Sequence, residues 1–153
     1  ITLVHELEIA APVEAVWHAI STREGWLRWA VPVAWQDPDD ADVLETSYDA
    51  EAQPGAPQNI RQRFLVRIPN RLLAFQTIKA PAGFADAEQF RGVRTVFELS
   101  PVGADRTHVR LTGAGYPRSE AGLRLLTFFE QGNAATLESL RTALEAPARE
   151  PDD

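Results

Sequence analysis

Polar side chains occur at positions where the sequence pattern predicts the inner face of a sheet or a helix. In the predicted strands they share the parity of the apolar residues, and in the last predicted helix one of them shares the apolar stripe. Buried polar groups need hydrogen-bond partners, so these side chains either bond to one another and to trapped water or orient a ligand in an apolar pocket. The pattern favours neither interpretation over the other. The set is Thr46, Tyr48, Gln62, Thr77, Thr95 and Asn133.

Phenylalanine rings accompany these polar residues at inward positions and would form the walls of a pocket, although each taken singly is more typical of an ordinary core residue. Gly132, inside the last predicted helix, is less favourable there than Ala by about 1 kcal/mol, which indicates close packing or space for a ligand. The rings are Phe64, Phe75, Phe97, Phe128 and Phe129. The predicted ligand-binding residues are Tyr48, Gln62, Phe64, Phe75, Thr95, Phe97, Phe129 and Asn133.

Other aromatic residues lie beside predicted loops, where they would form the mouth of such a pocket. Ordinary packing of short helices on the ends of the sheet is the favoured interpretation of these residues. They are Trp26, Trp29, Trp35 and Phe84.

The three histidines give a weak signal for catalysis. His18 leaves the apolar face of its predicted helix and His108 has outward parity, so both are expected at the surface. His5 alone has inward parity, and a hydrogen-bonded structural role is favoured for it. The sequence has no cysteine, no glycine-rich phosphate loop and no His/Cys metal cluster. We predict no catalytic residue, no metal and no cofactor, with a cyclase-type enzyme using His5, Tyr48 or Gln62 as an open alternative.

Residues 37–51 hold seven acids and no Lys or Arg, whereas the next predicted strand carries arginines at one parity. Adjacent antiparallel strands with opposite charges gain about 0.2–1 kcal/mol per cross-strand pair, so we predict one solvated charged face rather than a metal or anion site. The predicted partners are Glu45, Asp49 and Glu51 with Arg61, Arg63 and Arg67. A missed metal site would fall among Asp37, Asp39, Asp40 and Asp42.

The hydrophobic periodicity predicts one strand, two short helices, about five strands and a final long helix. In this last helix Ser119 caps the start and Pro147 ends the pattern. A turn at residues 69–70 predicts cross-strand pairs of Val66 with Leu73, Phe64 with Phe75 and Gln62 with Thr77. The predicted strands cover residues 3–9, 43–51, 59–68, 73–77, 90–99 and 106–115, with helices at 13–20, 23–29 and 119–145, an apolar connector at 31–35, a loop at 80–88 and a turn at 101–103.

The composition is typical of one soluble globular domain. The chain has 153 residues, 44% of them hydrophobic and 24% charged, and no apolar run long enough for a membrane span. The net charge of −7 argues against nucleic acid and anionic membrane surfaces as partners. We expect a domain at residues 1–145 and a flexible tail at 146–153. No signal-peptide pattern is present. Because the sequence begins at Ile1 and has no Met, we expect that the natural start is missing, which leaves export open with the cytoplasm as the default compartment.

Four segments resemble one known family. Residues 11–17 (APVEAVW) and 25–29 (GWLRW) are similar to the opening of START-like domains of the SRPBCC superfamily. Residues 71–75 (RLLAF) and 128–133 (FFEQGN) resemble its branch related to activators of the heat-shock-protein-90 ATPase. The resemblance covers residues 1–145 and implies an α+β helix-grip fold, a curved antiparallel sheet wrapped around a long C-terminal helix.

The predicted fold and the inward-facing polar and phenylalanine residues together predict a protein that binds a small apolar or aromatic molecule. The molecule would lie between the sheet and the last helix. Two alternatives come with the resemblance: a chaperone-directed interaction module related to stress response, and the cyclase-type enzyme. A cavity with polar groups favours ligand binding or catalysis, whereas a filled core with an exposed apolar patch favours the module. We expect a monomer or weak dimer whose partner is a small apolar ligand or, for the interaction-module alternative, a chaperone.

Overall fold

In the computed structural model, which describes residues 1–146, seven antiparallel strands form one sheet and a long C-terminal helix packs on its concave face. This confirms the predicted α+β helix-grip fold. The strand order is β1-β7-β6-β5-β4-β3-β2. The strands are β1 (Thr2–Ile9), β2 (Val33–Gln36), β3 (Val43–Ser47), β4 (Ile60–Ile68), β5 (Leu72–Lys79), β6 (Arg94–Gly103) and β7 (Arg106–Ala114). The helices are α1 (Val13–Ser21), α2 (Arg23–Trp29), α3 (Ala87–Phe90) and α4 (Glu120–Glu145).

The predicted tail and the predicted stop at Pro147 fall largely on residues 147–153, which lie outside the described residues. No helix within residues 1–146 combines the length and the apolar character needed to cross a membrane.

α4 begins where its sequence predicts. The Ser119 hydroxyl accepts a hydrogen bond from the Gly122 N–H at 3.2 Å, as expected for an N-cap. The helix has 26 residues and is therefore about 39 Å long. Leu137 and Leu140 join the main core near its C-terminal end, and Leu125 joins a second apolar cluster near its start. α4 is thus packed at both ends and spans the sheet between them.

α1 and α2 approach each other closely at a glycine. A Cβ on Gly25 would lie 2.3 Å from the backbone oxygen of His18, so only glycine fits this contact. The Gly25 N–H also donates to the Thr22 hydroxyl at 2.9 Å, which caps α2. Gly25 lowers the intrinsic helix propensity of α2, and the packing between the two helices explains why it is present.

Some element bounds differ from the sequence prediction. The expected connector at 31–35 contains β2, a four-residue edge strand that follows Pro32, a position compatible with proline. β3 ends at Ser47, and α3 occupies part of the expected loop and strand around residue 90. The Phe90 ring stacks on Phe129 of α4 at 4.6 Å, a tertiary contact that holds this segment out of the sheet. The β6–β7 turn lies at residues 104–105 rather than 101–103.

The β4–β5 register agrees with the prediction in its first half only. Phe64 pairs with Phe75 and Gln62 with Thr77, as expected. Val66 pairs with Ala74 rather than Leu73, because a bulge between Phe64 and Val66 shifts the register. Beyond this bulge the expected inward residues Val66 and Ile68 are 43% and 46% exposed.

Glu45 lies opposite Arg61 in the β3–β4 register, as predicted, but the ion pairs of the β4 arginines are made with other acids. Asp49 and Glu51 lie beyond the end of β3, and Glu45 instead accepts hydrogen bonds from Gly55 and Asn59, each at 2.6 Å. The β2–β3 loop folds over β4 and supplies the acids. The observed pairs are Arg61 with Asp37, Arg63 with Asp40 and Arg67 with Asp42.

Three of the four aspartates named as a possible metal site are therefore paired with arginines. Within residues 1–146, no group of His, Cys, Asp or Glu side chains is arranged to hold a metal ion.

Candidate functional site

A cavity of about 600 Å³ lies between the sheet and α4. Along α4 it occupies the gap between the two apolar clusters, next to Gly132, Asn133 and Thr136. Interiors of proteins are normally packed with few voids larger than a water molecule. This cavity is in the usual size range for small-molecule sites, about 300–1,000 Å³.

Tryptophans of α2 form one wall of the cavity, and α1 fixes their orientation. The indole N–H of Trp26 donates to the Ile20 carbonyl at 2.7 Å, and that of Trp29 donates to the Ala19 carbonyl at 2.7 Å. Both carbonyls belong to α1 near its C-terminal end, where backbone oxygens lack partners within the helix. The indole faces are therefore left to contact the cavity.

Phenylalanines on α4 and in the β5–β6 segment form another part of the wall. Phe84 lies 5.9 Å from Phe128 and 6.4 Å from Phe129, between ring centroids. Asp86 beside them accepts hydrogen bonds from the Arg124 guanidinium in two places, each at 2.9 Å, which ties the segment to α4. Phe128 is 59% exposed and Tyr48 is 75% exposed, so we place the mouth of the cavity between these two residues.

One buried polar atom in the lining lacks a partner. Gln62 Oε1 is shielded from solvent and accepts no hydrogen bond within residues 1–146. By contrast, the hydroxyl of Thr136 donates to the Gly132 carbonyl at 2.9 Å, and that of Ser139 donates to the Trp29 carbonyl at 2.9 Å. A buried carbonyl without a donor is destabilising by about 1–3 kcal/mol. Gln62 therefore offers a ligand a buried carbonyl oxygen that is free to accept a hydrogen bond.

The structure brings most of the predicted ligand-binding residues together around the cavity. The lining contains Tyr48, Gln62, Phe75, Thr95, Phe97, Phe129 and Asn133. It also contains Thr46 and Thr77, the remaining members of the inward polar set. That these residues contact a ligand stays a prediction.

Phe64 is a correction, because it does not line the cavity. Its ring is buried in the core, edge-on to Trp26 at 6.4 Å and to Phe75 at 5.9 Å, and the Arg67 guanidinium lies 4.8 Å from its centroid. Phe64 does have inward parity, but at its end of β4 the space is filled by α2. Of the residues considered for the mouth, Trp35 also lies outside the lining.

Titratable groups are scarce around the cavity. Within residues 1–146 the lining contains no Asp, Glu, Lys, Arg or His, and Tyr48 is its only ionisable side chain. His5 has inward parity, but it is not in the lining, and its Nδ1 is buried without a partner among the described residues. His18 is exposed, and His108 lies 3.1 Å from Glu6 across the β1–β7 pair.

Burial raises the pKa of Tyr116 to about 12. This side chain lies outside the lining, where its ring covers Gly113. The hydrogen bonds from Arg124 lower the pKa of Asp86 below its usual 3.8, so Asp86 is ionised where it ties the β5–β6 segment to α4.

Sequence reasoning missed part of the α4 contribution. Small and polar residues recur at helical spacing beside the apolar stripe, and they form the side of α4 that borders the cavity. That spacing was the available signal, but small residues in a helix are also common at its solvent face. The residues are Ala135 and Ser139.

Solved structures of the same fold include proteins with different descriptions. The Aha1 dimer from Colwellia psychrerythraea is 21% identical, with 95% of this chain and 96% of that chain covered and a TM-score of 0.68. Protein MLL2253 from Mesorhizobium loti is 21% identical, with 97% and 100% covered and a TM-score of 0.71. The Zhui aromatase/cyclase from Streptomyces sp. R1128 is 17% identical, with 98% and 96% covered and a TM-score of 0.68.

At these identities the structural likeness establishes the fold. A comparison with curated proteins gives no significant match. A family model described as polyketide cyclase/dehydrase and lipid transport matches residues 1–145. Its match spans nearly all of the described residues, including every element that borders the cavity, so the chain belongs to this family of START-like (SRPBCC) domains.

Proposed function

We propose that this domain binds one small, mostly apolar molecule in the cavity between the sheet and α4. The observation that supports this proposal best is the cavity of about 600 Å³ at the centre of the fold. Its walls are mainly aromatic and aliphatic, with a small number of hydroxyl and amide groups among them. This composition is typical of sites in which apolar contacts supply affinity and a few polar groups fix the orientation of the ligand.

The expected ligand is uncharged. A charged group transferred into an apolar site is strongly destabilising unless an opposite charge or hydrogen bonds compensate it. The described lining has no charged side chain to act as such a partner. It does have Gln62, Asn133 and Thr95, which suit hydroxyl, carbonyl or amide groups on a neutral molecule.

The cyclase-type alternative receives less support from the site. Acid–base catalysis needs a titratable group within hydrogen-bond reach of the reacting atom. His5, the histidine named for this role, is not in the lining, and Tyr48 is largely exposed at the mouth. Aromatase/cyclases share the fold, but at 17–18% identity this likeness does not supply the missing group.

The chaperone-directed alternative rests on the resemblance to the Aha1 dimer, at 21% identity. A protein-interaction module does not require a large internal cavity, whereas a ligand-binding domain does. The cavity therefore supports the binding proposal over this alternative.

Intrinsic fluorescence offers a direct test, because Trp26 and Trp29 line the cavity and Trp35 does not. We expect the neutral probe 2-naphthol to change the tryptophan emission of the protein with saturation at one molecule per chain. Trp29→Phe should remove part of the change, whereas Trp35→Phe should leave it nearly intact. A linear response without saturation, or an equal effect of the two substitutions, would contradict binding in the cavity.

A further inference from the structure

Three glycines lie inside helices α1 to α4 within the described residues, and two of them have a steric reason. A Cβ on Gly25 would meet the His18 carbonyl oxygen at 2.3 Å, and one on Gly122 would meet the Pro117 carbonyl oxygen at 1.9 Å. Gly132 is different. A Cβ there would touch only Phe129 Cδ1, at 3.8 Å, which is an ordinary contact, and its φ angle is not in the left-handed region. Neither crowding nor backbone conformation requires glycine at this position.

Glycine is nevertheless less favourable than alanine in the middle of a helix. Gly132 is near the midpoint of α4, between the end packed around Leu125 and the end packed around Leu137 and Leu140. It is also the one glycine in the described lining of the cavity. Packing therefore does not require glycine at position 132. A side chain at this position would border the cavity in which we propose that the ligand binds.

We infer that Gly132 is a specificity-determining residue, which sets how far a ligand reaches towards the backbone of α4. This inference rests on the proposed function. The Cβ of a side chain at position 132 would take up volume in the cavity, and it would make only an ordinary contact, with Phe129 at 3.8 Å. Glycine at position 132 makes α4 less stable than alanine would, but it leaves the cavity larger. The upper size limit of the ligand therefore depends on this position.

Helix bending is the competing explanation. The Thr136 hydroxyl donates to the Gly132 carbonyl at 2.9 Å, and such contacts with the residue four positions earlier can bend helices. A matched site exists on the same helix. Thr127 makes the same contact with the Leu123 carbonyl at 3.0 Å, is exposed, and is not in the lining. Thr127→Ala should thus stiffen and stabilise α4 without changing the cavity.

The first measurement needs no ligand. We expect Gly132→Ala to raise the Tm by about 1–4 °C, as a gain of helix propensity does in a chain of this size. Thr127→Ala should also raise the Tm. A fall in the Tm of Gly132→Ala would show that glycine is needed for packing, and would overturn the inference.

The second measurement compares neutral probes of increasing size: phenol, 2-naphthol and 2-hydroxyanthracene. Gly132→Leu should weaken binding of the three-ring probe by about 10-fold or more, through overpacking, and should leave the one-ring probe nearly unaffected. Gly132→Ala should act in the same direction with a smaller change. Thr127→Ala should leave all three affinities unchanged.

The outcomes separate the two proposals. A uniform effect of Gly132→Leu on all probes, or an effect of Thr127→Ala equal to that of Gly132→Ala, would overturn the role of Gly132 in size selection and leave ligand binding intact. Failure of every probe to bind the unsubstituted protein would overturn the proposed function, and this inference with it.

Discussion

Gln62 shows how a side chain placed by strand periodicity acquires a potential function. Its neighbours Arg61 and Arg63 take the opposite parity and pair with aspartates of the β2–β3 loop. Gln62 itself borders the cavity, where its Oε1 accepts no hydrogen bond within the described residues. On the outer face of β4 the arginines are therefore paired with aspartates. On its inner face the Gln62 Oε1 atom has no hydrogen-bond partner among the described residues.

Replacing Gln62 with Met should stabilise the protein in the absence of ligand. The substitution keeps the shape of the side chain and removes an unpaired buried carbonyl, so we expect the free energy of unfolding to rise by about 1 kcal/mol. Gln36→Met is the control for a glutamine that is hydrogen-bonded. The Gln36 amide donates to the Val43 carbonyl at 2.8 Å, so the loss of this hydrogen bond should lower the free energy of unfolding. Urea unfolding of both variants provides the measurement. Destabilisation of Gln62→Met as large as that of Gln36→Met would show that Gln62 is bonded in solution.

Truncation of two phenylalanines should distinguish core from cavity wall. Phe64 is 7% exposed and surrounded by core residues, so Phe64→Ala should lower the free energy of unfolding by about 3–5 kcal/mol. Phe129 borders an existing cavity, so Phe129→Ala should lower it by less, about 1–3 kcal/mol, and should weaken probe binding. Equal losses of stability, with no effect on binding, would mean that Phe129 is ordinary core.

For single side chains, strand parity predicts which residues face inward, but it does not predict what covers them. Parity placed Gln62, Thr95 and Phe97 on the inner face, because alternate residues of a strand always face the same way. It could not tell Phe64 from Phe75, because the helix that covers Phe64 comes from another part of the chain. Tyr116, which is 3% exposed, follows the last strand in a segment with no periodic pattern.

In the β2–β3 loop, local hydrogen bonds change the pKa of an aspartate. The Asp42 N–H donates to Asp40 Oδ1 at 3.0 Å, and the Arg63 guanidinium donates to Asp40 Oδ2 at 2.7 Å. These hydrogen bonds, with the Asp42 N–H as the larger cause, lower the pKa of Asp40 below its usual 3.8. Hydrogen bonding to Arg124 likewise lowers the pKa of Asp86.

The two carboxylates should make the protein acid-sensitive. A lowered pKa in the folded state means that the unfolded chain binds protons first, so the stabilisation is complete above the unfolded value and is lost as the pH falls through the folded one. We expect the decrease in unfolding free energy between about pH 5 and pH 3 to be smaller in the Asp40→Asn/Asp86→Asn variant than in the unsubstituted protein. Parallel urea titrations at these two pH values would measure it. An unchanged decrease would assign the acid sensitivity to other groups.

Elements with their own local signals were predictable, and those held by tertiary contacts were not. The start of α4 has a capping serine, and α2 has a capping threonine, so both were expected within one residue of their observed bounds. β2 has only four residues and exists because β3 pairs with it. α3 follows Asp86, which has a φ of 62°, and the ring of its Phe90 stacks on Phe129 of α4.

At the scale of the whole molecule, the fold is held by two apolar clusters with the cavity between them. The larger cluster joins α1, α2 and the C-terminal part of α4 to the sheet, and the smaller one joins the start of α4 to Val93 and Tyr116. Residues of both clusters also line the cavity, including Phe97 of the larger cluster and Phe129 of the smaller one.

Folding should not require a metal ion. Three of the acids that were the best candidates for a metal site, Asp37, Asp40 and Asp42, are paired with arginines. Dialysis against a chelator should therefore leave the Tm unchanged. A substantial fall in the Tm, reversed by adding a divalent cation, would contradict this expectation and would point to that loop.

Native mass spectrometry tests the central claim most directly. The protein would be mixed with a small-molecule extract of its own host, in parallel with a Thr95→Phe variant, whose added ring projects into the cavity. We predict that the unsubstituted chain gains the mass of one small molecule and that the folded variant gains none. No added mass on the unsubstituted chain, or the same added mass on both proteins, would contradict binding in the cavity.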